Sequence, residues 1–346
     1  MQSSIIDEII KKVDYPKMLL KGLDDIDVSE LGNYLSGEKV FALGIRLTNV
    51  CNYSCVYCGT LEKRGTQPEN ALTTEEYLDI IDQAADIGVS TIVLGGNGEP
   101  TLTKDIDKIL KRIAFHHITP IIFSNIYIFG NDELCKKVHG TTGKELLDVF
   151  DQCGTSIIIS CETTIPECYN KIVGGNHFEE FDRAIERIRK TRLAEYNEFN
   201  GHPLCRLAIS SVVMPINYKD RFDMLNFAHS LNALIILKVP SLHGAAAKNI
   251  DLMFDVQNGK NIQKELSNIS DKQATLQILN LACVAWTLGI SISVDGNFMT
   301  CMTDESNPYG ESTNVRNTKI KSLLGKRKEL LKLRNTVCPV KDKYYV

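Results

Sequence analysis

The chain has 346 residues, 43% hydrophobic and 24% charged, with a net charge of −4. That is the make-up of a soluble globular protein, long enough for one large barrel or two ordinary domains. Charges of both signs are mixed, with no basic stripe, which excludes nucleic acid as an obvious partner. No apolar run approaches a membrane span, and the N-terminal stretch MQSSIIDEIIKKVDYPK lacks the form of a signal peptide. The expected location is therefore the cytoplasm, away from any membrane. Structural disulfides are rare in a reducing compartment, so the 11 cysteines need another account.

Residues 1–39 read as an N-terminal helical extension. From about 40 to 240, apolar strands alternate with amphipathic helices, the pattern of a parallel α/β sheet. VFALGIRLT (40–48) reads as a buried strand running into a cysteine-rich loop. TTEEYLDIIDQAADIG (73–88) has a Thr-x-x-Glu start and apolar residues at helical spacing. Strands follow at 91–96 and 119–125, with a helix at 103–116 between them. A polar loop is expected over 126–141, then a helix at 143–153 and a strand at 155–162. A long charged helix (177–196), a strand (205–215), a helix (219–231) and a sixth strand (234–240) complete the series. The expected fold class is α/β, a partial (β/α)6 TIM-like barrel. Beyond Pro240 the rhythm breaks into a loop or cap (241–261) and a second helical stretch ending near Leu281. A hairpin around Asp295–Gly296 (290–302) and a basic helix (318–334) follow. Residues 241–346 are thus expected to form a cap segment and a small appended module.

CNYSCVYCGT (51–60) carries Cys51, Cys55 and Cys58. Three such thiols are ligands of one metal centre, a disulfide with a spare, or a coincidence. A structural zinc site takes about four ligands, and no histidine occurs before residue 116. Three thiolates on a four-iron cube would leave one iron open to a small molecule. The loop directly follows the first strand, at the carboxyl end where barrel active sites lie.

Cys51-x-x-x-Cys55-x-Tyr57-Cys58 resembles the signature of the radical S-adenosylmethionine (SAM) superfamily, in which an aromatic residue precedes the third cysteine. GGNGEP (95–100), closing the second strand, looks like that family's glycine-rich motif. Glycines such as Gly96 and Gly98 allow close backbone approach to a ligand. The Glu99 carboxylate accepts hydrogen bonds from a charged amino group, which in the family is the methionyl ammonium of SAM. The resemblance implies a 4Fe-4S cluster on Cys51, Cys55 and Cys58, with SAM chelating the open iron. It further implies reductive cleavage of SAM to methionine and a 5′-deoxyadenosyl radical that abstracts hydrogen from substrate. It also implies cofactor contacts at Tyr57, Gly96, Gly98, Glu99, Ser124, Asn125, Ser160 and Glu162; for the last four, ordinary capping is the competing reading. Lys238, ending the sixth strand, would meet substrate or form a salt bridge at the rim.

Cys283, Cys301 and Cys338 lie in the appended module, with Cys301 at the end of the hairpin. The arrangement resembles a SPASM/twitch extension holding an auxiliary 4Fe-4S cluster. The close cysteine pair of a full site is missing, because Asn335 stands three residues before Cys338. The fourth ligand is left open, and three buried thiols are the alternative. Cys161, after the fourth strand, is a candidate hydrogen-atom donor. The expected activity is that of an oxidoreductase in a specialised pathway such as antibiotic biosynthesis. It would dehydrogenate a small polar substrate (an aminocyclitol, sugar or nucleoside), with an external electron donor such as flavodoxin or ferredoxin. The alternatives are maturation of a ribosomal peptide by epimerisation or crosslinking, and redox-neutral epimerisation or decarboxylation of a sugar or nucleoside. A zinc-stabilised module without catalysis is the non-enzymatic reading.

Overall fold

The computed structural model describes residues 18–60, 65–271, 288–299, 301–302, 306–310 and 312–333. Its strands are β1 (Leu19–Leu20), β2 (Ala42–Arg46), β3 (Thr91–Gly95), β4 (Thr119–Ser124), β5 (Ser156–Ser160), β6 (Asn197–Phe199), β7 (His202–Cys205), β8 (Leu207–Val212), β9 (Leu234–Lys238), β10 (Gly289–Ile292) and β11 (Phe298–Met299). The main sheet runs β11-β10-β2-β3-β4-β5-β8-β9. From β10 through β9 every pairing is parallel, and only β11 is antiparallel. The six strands β2, β3, β4, β5, β8 and β9 are those of the partial barrel.

The helices between them form where apolar residues recur at helical spacing. The helix Ile106–Phe115 buries Ile106, Ile109, Leu110 and Ile113, a single stripe facing the sheet. The helices Thr74–Asp86 and Gly143–Gln152 both open on a reciprocal Thr–Glu capping box, Thr73 with Glu76 and Thr142 with Glu145.

Three segments depart from the sequence reading. The polar stretch 126–141 folds into helices Tyr127–Gly130 and Asp132–His139. Asn131 caps the second by accepting from the Leu134 N–H at 2.8 Å, and Gly140 ends it in a left-handed conformation. The helix expected over 177–196 spans only Phe178–Ile188. Past its end the Thr191 hydroxyl donates to the Ile188 carbonyl at 2.8 Å and then accepts from the Leu193 N–H, turning the chain into β6. The strand expected at 205–215 splits at Arg206, whose guanidinium turns to Asp151 (2.8 Å) and the Thr155 carbonyl (3.1 Å). Thereby β7 joins β1 and β6 in a small separate sheet.

That small sheet closes the barrel floor. Leu20 on β1 is fully buried and packs in one cluster with Cys205 of β7 and with Ile121, Ile158, Ala208 and Leu234 from the lumen face. The Thr91 and Ser156 hydroxyls donate to the Gly22 and Lys21 carbonyls. At the opposite edge the β10–β11 hairpin extends the barrel sheet: β10 pairs residue for residue with β2, from Gly289↔Ala42 to Ile292↔Ile45. No described helix is long and apolar enough to cross a membrane.

Candidate active site

The cysteine loop leaves β2 and is laced to the glycine-rich loop that leaves β3. The Leu47 N–H donates to the Gly95 carbonyl, Gly98 N–H to Thr48, and Glu99 N–H to Val50, at 2.7–3.0 Å. The approach is close enough to dictate glycine. A Cβ on Gly98 would stand 2.0 Å from the Val50 oxygen, and one on Gly96 2.5 Å from the Thr48 oxygen. On its other side the cysteine loop leans on the helix Pro166–Val173, with Ser54 N–H donating to Val173 and Val56 N–H to Ile172. A third support comes from beyond β9: Ala245 N–H donates to the Cys58 carbonyl at 2.8 Å and the Asn249 amide to Val56 at 2.9 Å.

These constraints gather Cys51, Cys55, Cys58, Tyr57, Gly96, Gly98, Glu99, Ser124, Asn125, Ser160 and Glu162 around one cavity of about 210 Å³. The three thiols are half-buried. The Tyr53 N–H donates to Cys51 Sγ at 3.4 Å, and the Thr60 hydroxyl lies 3.3 Å from Cys58 Sγ while donating to the Asn97 carbonyl. The Tyr53 N–H suits a cysteine thiolate that ligates a cluster. Among the described residues no three His, Cys, Asp or Glu side chains converge to hold a single metal ion. Three thiols lining one cavity are a donor set that suits an iron–sulfur cube, which is wider than an ion.

Two buried carboxylates face the cavity under different constraints. Glu99 Oε1 accepts from Thr101 N–H, Thr101 Oγ1 and Ser124 Oγ at 2.7–3.1 Å, and Oε2 from Asn125 N–H at 2.8 Å. Burial raises its pKa and the four donors oppose the rise. With Oε1 saturated, Oε2 is the oxygen left to meet a ligand. Glu162 Oε1 accepts from the Tyr57 hydroxyl, and burial pushes its pKa up to about 7 against the opposing charge of Lys238. Its own backbone is held by Asn217, whose amide donates to the Glu162 carbonyl at 2.7 Å. In turn burial lowers the Lys238 pKa.

Cys161 does not join the cavity. It is fully buried in the main core, its Sγ donating to the Thr163 carbonyl at 3.5 Å, and burial holds its thiol pKa well above the ordinary range. A hydrogen-atom donor has to face the radical, and this thiol points into the packed interior. Cys283 and Cys338, with Asn335, lie outside the described residues. Cys301 is buried at 6% exposure. Its neighbour Met302 fills the lumen over Gly44 and Gly95, where a Cβ would come within 2.9 Å of it. The Arg46 guanidinium donates twice to the Met302 carbonyl, at 2.6 and 3.1 Å.

The cavity wall also holds Tyr53, Thr60, Asn97, Phe123 and Val173, none of which was expected there. Tyr53 and Asn97 lie inside the two motifs, a signal available from sequence. Phe123 is 43% exposed on a strand whose neighbours Ile121 and Ile122 are fully buried; only strand register shows that it faces the lumen.

The chain matches the family model described as Radical SAM superfamily over residues 45–228. It is 28% identical over 200 residues to the probable GTP 3′,8-cyclase of Methanocaldococcus jannaschii, and spans about 58% of that relative's length and 58% of its own. It is 32% identical over 156 residues to the GTP 3′,8-cyclase of Haemophilus influenzae, 43% of this chain and 41% of that one. A looser match, 21% identical over 301 residues, takes in 81% of this chain and 91% of the probable GTP 3′,8-cyclase of Methanococcus maripaludis. Among solved structures, Streptococcus suis SuiB bound to S-adenosylmethionine superposes with a TM-score of 0.58 at 16% identity, covering 86% of this chain and 68% of that one. Native anSMEcpe with bound AdoMet gives 0.53 at 14% identity, over 88% of this chain and 86% of that one. At such identities the likeness is one of fold.

The relatives' names correct the expected chemistry. They describe a cyclase acting on GTP, and not the dehydrogenation of an aminocyclitol, sugar or nucleoside. Nor do they describe peptide maturation or sugar epimerisation and decarboxylation. The cysteine and glycine motifs carry the resemblance to the family, and a family resemblance does not fix the substrate.

Proposed function

Because the chain belongs to the radical SAM superfamily, we propose that it cleaves SAM reductively and turns the resulting 5′-deoxyadenosyl radical on a purine nucleoside triphosphate, GTP being the molecule its curated relatives are named for. The reading is carried by one observation: three thiols, the glycine-rich loop and the polar ends of β4 and β5 share a single cavity wall. When bound to Cys51, Cys55 and Cys58, a 4Fe-4S cluster supplies one electron to the SAM sulfonium. The chain's own residues orient and enclose. Glu99 fixes Ser124 through its saturated Oε1 and Asn125 through Oε2, which keeps capacity for an amino group. Glu162 holds the Tyr57 hydroxyl beside the thiols, and Asn97 and Thr60 close the wall near Cys58.

On the same reading residues 40–240 are the catalytic barrel, 1–39 an extension, and 241–346 a cap with an auxiliary-cluster module on Cys283, Cys301 and Cys338. The reductant is a flavodoxin or ferredoxin of the cytoplasm. The tie between Arg46 and Met302, which sets Cys301 against the barrel, supports the module's place in the mechanism.

The test is anaerobic reconstitution with iron and sulfide, then incubation with SAM and dithionite, with and without GTP. The expected result is 5′-deoxyadenosine in both cases, with GTP consumed and a cyclised product appearing when it is present. Absence of 5′-deoxyadenosine from iron-replete protein overturns SAM cleavage; its formation with GTP left intact overturns the substrate.

A further inference from the structure

Paired residues on parallel strands point to the same face, and alternate residues keep it. In the barrel this rule traces a continuous lumen surface. Phe123 pairs with Ile158, Ser160 with Ser210, Ser210 with Ile236, and Val212 with Lys238. Ile121, Ile158, Ala208 and Leu234 lie one step nearer the floor and pack together there with Leu20. Above them on the same surface stand Phe123, Ser160, Ser210 and Ile236, and one step higher Val212 and Lys238.

Lys238 is out of place in that layer unless something meets it. Its side chain is half-buried at the carboxyl end of β9. Among the described residues its ammonium makes no hydrogen bond, and no carboxylate lies within ion-pair distance. Glu162, the one acid it senses, is engaged with Tyr57. A half-buried cation without a partner gives up part of its hydration for nothing in return, which is a cost, and that desolvation lowers its pKa. An anion arriving from the lumen would remove that cost. Lys238 is not on the wall of the thiol cavity, so the anion belongs to a molecule seated beside the SAM position and not within it.

We propose that Lys238 binds a phosphate oxygen of the substrate nucleotide in the barrel lumen, with Phe123 supplying an apolar face on the same surface. This rests on the nucleotide reading given above. The shared chemistry is an anionic oxygen, and the other source is the methionyl carboxylate of SAM. Both are separable by experiment.

The experiment measures equilibrium binding of GTP, guanosine and SAM to anaerobically reconstituted holoenzyme, for the wild type, Lys238→Met and Lys238→Arg. A charge-assisted hydrogen bond lost from the complex corresponds to a roughly ten- to hundredfold weakening. The expected result is that loss for GTP in Lys238→Met, with guanosine and SAM unchanged and most of the GTP affinity recovered in Lys238→Arg. Equal GTP affinity in wild type and Lys238→Met overturns the assignment while leaving the nucleotide reading intact. Weaker SAM binding with GTP unchanged moves the anion to the methionyl carboxylate and overturns the phosphate assignment. Parallel loss of guanosine and GTP, unrescued by arginine, marks a packing role and overturns it too. A wild-type enzyme that binds neither GTP nor guanosine removes the nucleotide reading itself, and this assignment with it. Should Lys238→Met fail to fold, Lys238→Gln carries the same comparison.

Discussion

Glu99 and Glu162 are both almost fully buried on one cavity, yet their surroundings set them different tasks. Four donors around Glu99 leave it no use for a proton of its own. Glu99→Gln would turn an amide N–H₂ toward those donors, and is expected to destabilise the apo-protein by about 1–3 kcal/mol, read from denaturant unfolding. Glu162 has a single phenol donor and a pKa raised to about 7. Its folded pKa lies above the ordinary value of about 4.3, so the folded state holds this proton more tightly than the unfolded one. The stability it contributes is therefore full at low pH and lost as pH rises from about 4 through 7. The melting temperature of Glu162→Gln is expected to fall less than that of wild type between pH 5 and 8. Histidines with burial-lowered pKa values, such as His139 and His177, pull the other way in both proteins and cancel in the comparison. Identical slopes would refute the assignment.

At the scale of elements, the cysteine loop is positioned by its neighbours more than by its own sequence. It hangs between the glycine-rich loop, the helix Pro166–Val173 and the segment around Ala245–Asn249. Gly98→Ala drives a Cβ against the Val50 carbonyl, and is expected to cost about 1–3 kcal/mol together with most of the iron bound on reconstitution. Normal iron content and melting temperature in that variant would show that the two loops are not rigidly laced. Cys51, Cys55, Cys58 and the glycines around Glu99 were legible in the sequence because their spacing is local and each follows a strand. Phe123 was not placed by sequence, and Lys238 was left between substrate and a salt bridge at the rim, since their direction depends on register across four strands. The helices at 127–130 and 132–139 were hidden by polar composition, although Asn131 and Gly140 supply ordinary caps. The edge pairing of β10 with β2 joins residues more than 240 positions apart, a contact no local pattern announces.

For the whole molecule, the barrel is a parallel sheet stoppered at one end by a segment from its own N-terminal region. Leu20 sits at the centre of that stopper. Leu20→Ala is expected to cost about 2–5 kcal/mol, measured as a lowered denaturation midpoint. A change below ~1 kcal/mol would show that the floor closes without it. Among the described residues, the stopper closes the base of this vessel and leaves the thiols at the opposite rim. A molecule that is to meet them therefore has no passage through the floor.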